Sequence, residues 1–219
     1  MTKEEFMKIA SETSDWAPGW DAIDQEFARL YPNQKPVHLG TDMHARAVFG
    51  GDQYLDGYSI FNSPKGYQHI VTYGMSELYV NEELFGGEWN KWGYEMTMKV
   101  KADNAKQCMW AINLMAHLAR FTYERSSYFS VNQYLGLGGH ALDVGNSEIT
   151  ALIVVTDTEA QTLDTVYGKT EFLQLVGITQ PELLALKQNP ERVSELIDKL
   201  KAISPDLVTD MDRKESLIV

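Results

Sequence analysis

A single cysteine, Cys108, stands among 219 residues. An intramolecular disulfide is therefore excluded, and a reducing compartment is expected. Long apolar runs are missing too. The longest, Ala151 to Val155, is strand-sized and far short of the roughly 18 residues that a membrane span needs. The first ten residues carry Lys3, Glu4, Glu5 and Lys8 with no apolar stretch between them, so they do not read as a secretory signal. Positive charge is scarce: 19 Lys and Arg face 31 Asp and Glu, a formal net charge of −12. That sign repels phosphate backbones and anionic membranes and attracts basic partners. The expectation is a cytoplasmic protein that binds neither nucleic acid nor membrane.

Repeats, low-complexity tracts and linker-like stretches are also absent, so one domain is expected over 1–219, with its core over about 19–219. Trp20, Ile23, Phe27 and Leu30 fall on one helical face, and Pro32 ends that helix. Strands are expected over Leu55 to Asn62 and His69 to Tyr73. The cleanest is Tyr94 to Val100, where Tyr94, Met96, Met98 and Val100 take one face and Glu95, Thr97 and Lys99 a more polar one. Asn104 to Arg125 reads as a long helix, apolar over so wide an arc that it must be covered on most sides.

Ile149 to Val155 reads as a central strand, and a hairpin turns at Tyr167-Gly168-Lys169. Thr179-Gln180-Pro181-Glu182 has capping-box spacing, and Asn189-Pro190 opens a further helix that Pro205 closes. Glu215 to Val219 is expected as a last strand. Strict βαβ alternation is missing, so the fold class is α/β in the α+β sense, a mixed sheet flanked by helices.

Signs of catalysis are few. Gly74-Met75-Ser76-Glu77-Leu78 lacks the second glycine of a nucleophile elbow, and Cys108 sits on an apolar helix face where its thiol is inert. The histidines are His38, His44, His69, His117 and His140, no two at the spacing of a helical zinc motif. His38, Asp42 and His44 form the one local cluster, and they support a metal-dependent or other hydrolase as the alternative function. Gly136-Leu137-Gly138-Gly139-His140 lacks the Lys-Ser/Thr of a phosphate loop. No catalytic residue, metal ligand or cofactor is assigned. Glu77 to Trp92 instead gathers acidic and aromatic side chains, the anatomy of a protein-binding hot spot.

Five segments resemble the suppressor-of-fused family. They are Leu55-Asp56-Gly57-Tyr58-Ser59 (preceded by Gly50-Gly51-Asp52), Tyr73-Gly74-Met75-Ser76-Glu77-Leu78-Tyr79, Gly93-Tyr94-Glu95-Met96-Thr97, Phe172-Leu173-Gln174-Leu175-Val176-Gly177 and Thr209-Asp210-Met211. The resemblance implies a non-catalytic α/β domain. In animals it implies a Hedgehog-pathway repressor that clamps a Gli peptide between this domain and a second one, partly by strand addition. Stand-alone bacterial members look like immunity proteins that neutralise a toxin. The expected partner is therefore a protein, such as a basic toxin, with Tyr79, Glu88, Trp89 and Asp210 at the contact.

Overall fold

The computed structural model describes residues 1–41, 55–138 and 147–219. Its frame is an eight-stranded mixed sheet. The strands are β1 (Val37–Gly40), β2 (Gly57–Ser63), β3 (Tyr67–Tyr73), β4 (Trp89–Val100), β5 (Tyr134–Gly136), β6 (Ile149–Thr156), β7 (Leu163–Thr165) and β8 (Gly168–Thr179). Their order is β1-β2-β3-β4-β8-β6-β5, with β7 paired to one end of β8. The pairing of β4 with β8 is parallel, and the other pairs are antiparallel.

The helices are α1 (Lys3–Glu12), α2 (Pro18–Leu30), α3 (Met109–Arg125), α4 (Gln180–Gln188) and α5 (Val193–Ile203). On one face of the sheet, α3 lays Ala111, Ile112, Met115, Leu118 and Ala119 over Tyr94, Met96, Met98, Leu152, Val154, Leu173 and Leu175. On the other face, α2 sets Ile23 and Phe27 against Phe61, Val71, Tyr73 and Phe172. Beside it, α4 and α5 cover Ile153, Val155, Val176 and Ile178. Each large apolar side chain so hidden contributes about 1.5–3 kcal/mol.

The mixed sheet, its flanking helices and the capping box at Thr179 and Glu182 agree with the sequence reading. The structure departs from it in four places. α1 forms although only Phe6 of it is buried, and the edge strands β1 and β5 are too short to show a period. Glu215 to Val219 forms no strand. That segment is instead tied down by Arg213, whose guanidinium bonds Glu182 at 2.6 Å, and by the Leu217 N–H on the same carboxylate at 2.9 Å. Finally, the more polar face of β4 is itself packed: Glu95, Thr97 and Lys99 are all fully buried, Glu95 as a hydrogen-bond acceptor under the turn after β3 and the others under α2 and the β6–β7 connection.

Gly19 shows how tightly α2 sits. A Cβ there would lie 1.9 Å from the Glu77 carbonyl oxygen, so no larger residue lets the helix start so close to the chain after β3. The Gly19 N–H bonds the Leu78 carbonyl at 3.0 Å.

Candidate partner-binding surface

The chain leaving β3 makes a turn, Tyr73 to Tyr79, around the side chain of Glu95. One Glu95 oxygen accepts from the N–H of Gly74 (3.0 Å), the N–H of Ser76 (2.9 Å) and the Ser76 hydroxyl (2.7 Å). The other accepts from the Thr72 hydroxyl at 2.6 Å and the Met75 N–H at 3.3 Å. Gly74, at φ 125°, supplies the conformation that points these amides inward. Burial pushes the Glu95 carboxyl above its ordinary range, while the Ser76 and Thr72 hydroxyls and the turn amides pull the other way.

The next stretch is fixed just as firmly. The buried Asn90 side chain accepts from Glu77 N–H at 2.8 Å. The Tyr167 hydroxyl donates to the Tyr79 carbonyl and accepts from Asn81 N–H at 3.0 Å. Asn81 then caps a 3₁₀ turn over Glu82–Leu84. The Gly86 N–H reaches Val166 O at 2.9 Å, and Lys169 N–H reaches Glu88 O at 3.0 Å, so the β7–β8 hairpin backs the loop. At Gly168, φ 108°, a Cβ would lie 2.5 Å from the Gly87 carbonyl oxygen.

On this fixed frame the sequence-predicted residues Tyr79, Glu88 and Trp89 come to one end of the sheet. All three are exposed, Tyr79 and Trp89 at 47% each. Gly93, at φ 81°, leaves room for the Trp89 ring to lie against the backbone. Trp89, Trp92, Tyr128, Val131, Glu171 and Leu173 line a groove of about 590 Å³. The Trp92 indole Nε1 is buried, with no hydrogen-bond partner among the described residues. Sequence reading singled out Trp92 but not Tyr128, which is 65% exposed.

Asp210 is not brought to this surface. It pairs with Lys101 at 2.6 Å, just past the far end of β4, and β4 is 12 residues long, about 40 Å at strand rise. Partial burial raises the Asp210 carboxyl, but the Lys101 hydrogen bond, the Asp212 N–H and the charges of Lys101 and Arg213 together outweigh it for a net lowering. Asp210 borders a separate cleft of about 560 Å³ floored by Val176, Leu200, Leu207 and Leu217.

Of the residues weighed for hydrolysis, Asp42 and His44 lie outside the described residues, as do Gly139 and His140 of the run compared with a phosphate loop. His38 bonds Ser59 Oγ through Nδ1 at 3.0 Å, and burial lowers its pKa. Among the described residues, no three His, Cys, Asp or Glu side chains gather as metal ligands would. Nor is any described helix long and apolar enough to cross a membrane. Cys108 is buried, and burial pushes its thiol up to about 11.

Sequence reading missed a polar cluster under α2. Asp157, fully hidden, holds His69 Nε2 at 3.0 Å, Lys99 Nζ at 3.1 Å and Thr97 Oγ1 at 2.6 Å. Burial pushes the Asp157 carboxyl up, but His69 and Lys99 hold it well below the usual carboxylate range. Sequence separation hid the cluster, since His69 and Asp157 are 88 residues apart.

The resembling segments now have places in the fold. Tyr73-to-Tyr79 is the turn, and Gly93-to-Thr97 carries the Glu95 that holds it. The Phe172 segment is β8. Thr209 extends the sheet by bridging to Val100, with its N–H on Lys99 O at 2.8 Å and its hydroxyl accepting from Gly177 N–H at 2.9 Å. The family model described as suppressor of fused protein (SUFU) matches residues 51–214. The chain belongs to the suppressor of fused family. The human and mouse suppressor of fused homologs are each 30% identical over 214 residues, 91% of this chain and 44% of theirs. The chain thus spans less than half the length of the curated relatives it matches.

Solved suppressor of fused structures share the fold. A chain of the Sufu–Fu complex superposes with a TM-score of 0.77 at 23% identity, covering 91% of this chain and 92% of that one. Drosophila suppressor of fused gives the same score and identity over 51% of its chain. A SUFU homolog from Neisseria gonorrhoeae scores 0.63 at 15% identity, covering 92% of this chain and 97% of that one.

Proposed function

We propose that this chain is a non-catalytic protein-binding domain whose contact face is formed by Tyr79, Glu88, Trp89 and the groove beside them. The observation that carries this reading is the exposure of two aromatic rings, Tyr79 and Trp89, on a loop locked by buried hydrogen bonds. Exposed rings on a rigid frame lose little conformational entropy when a partner covers them, which is the economy of a hot spot. Membership in the suppressor of fused family supports the reading, since one relative was crystallised as the Sufu–Fu complex.

The net charge of −12 favours a basic partner, steered in by long-range attraction. An immunity or antitoxin role, in which the acidic face covers a basic toxin, fits that charge. Asp210 stands at the other end of β4 and contacts only a partner long enough to span the sheet.

A capture experiment from native-source lysate at low and moderate salt tests this. Wild type is compared with a Glu88→Lys/Trp89→Ala double variant, with bound proteins identified by mass spectrometry. One stoichiometric basic partner, lost in the double variant, supports the proposal. Equal capture by both chains removes this face from it.

A further inference from the structure

α1 is held to the rest of the chain by little more than one side chain. Phe6 is the single buried residue of the helix, and Ser11 to Asp15 after it are all exposed. The Phe6 ring sits in an aromatic socket, with centroids 5.3 Å from Trp16, 4.9 Å from Phe85 and 6.0 Å from Tyr167. Three residues before it, Lys3 pairs with Glu82 at 3.0 Å, both side chains more than half exposed. An exposed pair of that kind holds weakly, and a ten-residue helix is marginal by itself. The socket, in contrast, is part of the rigid frame. Phe85 ends the 3₁₀ turn over Glu82–Leu84, and Tyr167 is the residue whose hydroxyl fixes the backbone of Tyr79 and Asn81.

We infer that the Phe6 socket is a docking site for an amphipathic helix with a basic residue three positions before an aromatic one, and that α1 is its occupant in cis. When α1 swings away about Ser11–Asp15, the socket opens directly beside Tyr79, and a partner helix of the same chemistry can enter. Apolar shape selects the ring, while Glu82 selects the cation. The inference deepens the proposed contact face and rests on that reading for its biological use. The displacement of α1 itself can be tested with no partner in hand.

Two measurements do so. The first is hydrogen exchange on the wild-type chain: the α1 amides exchange much faster than those of β4 and β8, reporting an opening below global unfolding. Equal protection of α1 and the sheet overturns the inference, because α1 would then leave only when the protein unfolds.

The second uses a fluorescein-labelled peptide of residues 1–12 added to the full-length Phe6→Ala chain, whose own α1 no longer fills the socket. The expected result is binding that weakens with salt, about tenfold tighter than to wild type, where the socket is taken. A peptide carrying Phe6→Ala should not bind. A folded Phe6→Ala chain that fails to bind the peptide, or that binds it no better than wild type does, overturns the inference. Neither result depends on Glu88 or Trp89, so failure here is separable from failure of the proposed contact face.

Discussion

Lys99 and Asp157 meet inside the protein, Nζ to Oδ1 at 3.1 Å, with neither side chain open to solvent. The same Asp157 oxygen receives the N–H groups of Glu159 (2.8 Å) and Ala160 (2.9 Å), so one carboxylate ties β4 to the connection after β6. Removing the cation leaves a buried anion short of a partner. Lys99→Met should therefore destabilise the fold by about 3–5 kcal/mol, read from urea denaturation midpoints. A shift below about 1 kcal/mol would mean that the remaining donors satisfy Asp157 alone.

Acid should weaken this region in a definite window. Burial raises the Glu159 carboxyl, but Lys65, Tyr67 and Lys99 outweigh it and hold it at about 2. A carboxylate depressed in the folded state contributes stability above its ordinary range and loses it as pH falls. Stability should therefore drop as pH goes from about 4.5 toward 2. Glu159→Gln should be less stable at neutral pH and flatter across that interval, as denaturation at a series of pH values will show. A variant as steep as wild type would assign the acid sensitivity elsewhere.

Glu95 makes a different prediction, since its work is to organise a turn. In Glu95→Ala the N–H groups of Gly74, Met75 and Ser76 lose their acceptor inside the protein. Each unsatisfied buried group costs about 1–3 kcal/mol, and water entering the space offsets part of that. The chain should either fail to fold or exchange the amides of Gly74 to Ser76 orders of magnitude faster, by hydrogen exchange. Unchanged protection there would show that the turn stands without its carboxylate.

The contact face separates into a rate and a lifetime. Glu88→Lys should slow association with a basic partner at low salt and matter less as salt rises, because steering by charge is screened. Trp89→Ala should chiefly quicken dissociation, by the loss of a buried anchor worth about 2 kcal/mol or more. Surface plasmon resonance at two salt concentrations reads both, and a Glu88→Lys association rate equal to wild type would refute steering.

Cys108 should behave as an apolar side chain. With its thiol pushed up to about 11 and its sulfur fully buried, reaction with a thiol reagent at pH 8 should wait for unfolding. Rapid labelling of the native chain would contradict the packing of α3.

Much of this architecture can be read from the chain itself. The alternation in Tyr94 to Val100 locates β4, the apolar run Ile149 to Val155 locates β6, and Thr179 with Glu182 marks the start of α4. Alternation cannot say what covers the second face of a strand, so Lys99 reads only as part of a more polar face, when it is the most deeply buried cation among the described residues. The aromatic and acidic character of Tyr79 to Trp89 is equally plain in sequence. The hold of Tyr167 on that loop is not, because it reaches across 88 residues. Asp210 illustrates the converse: a residue marked by a motif takes its position from the sheet, and the sheet sets it at the opposite end from the other three.

The parallel pairing of β4 with β8 sits at the middle of the sheet, and Tyr94 can meet Glu171 only after all of α3, β5, β6 and β7 has been made. Closing so long a loop is entropically expensive and brings no reward until the strands register. On the ribosome, then, the β1–β4 half must wait with one edge of β4 bare until most of the chain has emerged. The seam at the centre of the finished sheet is, for that interval, where a nascent chain is most open to pairing with a neighbour.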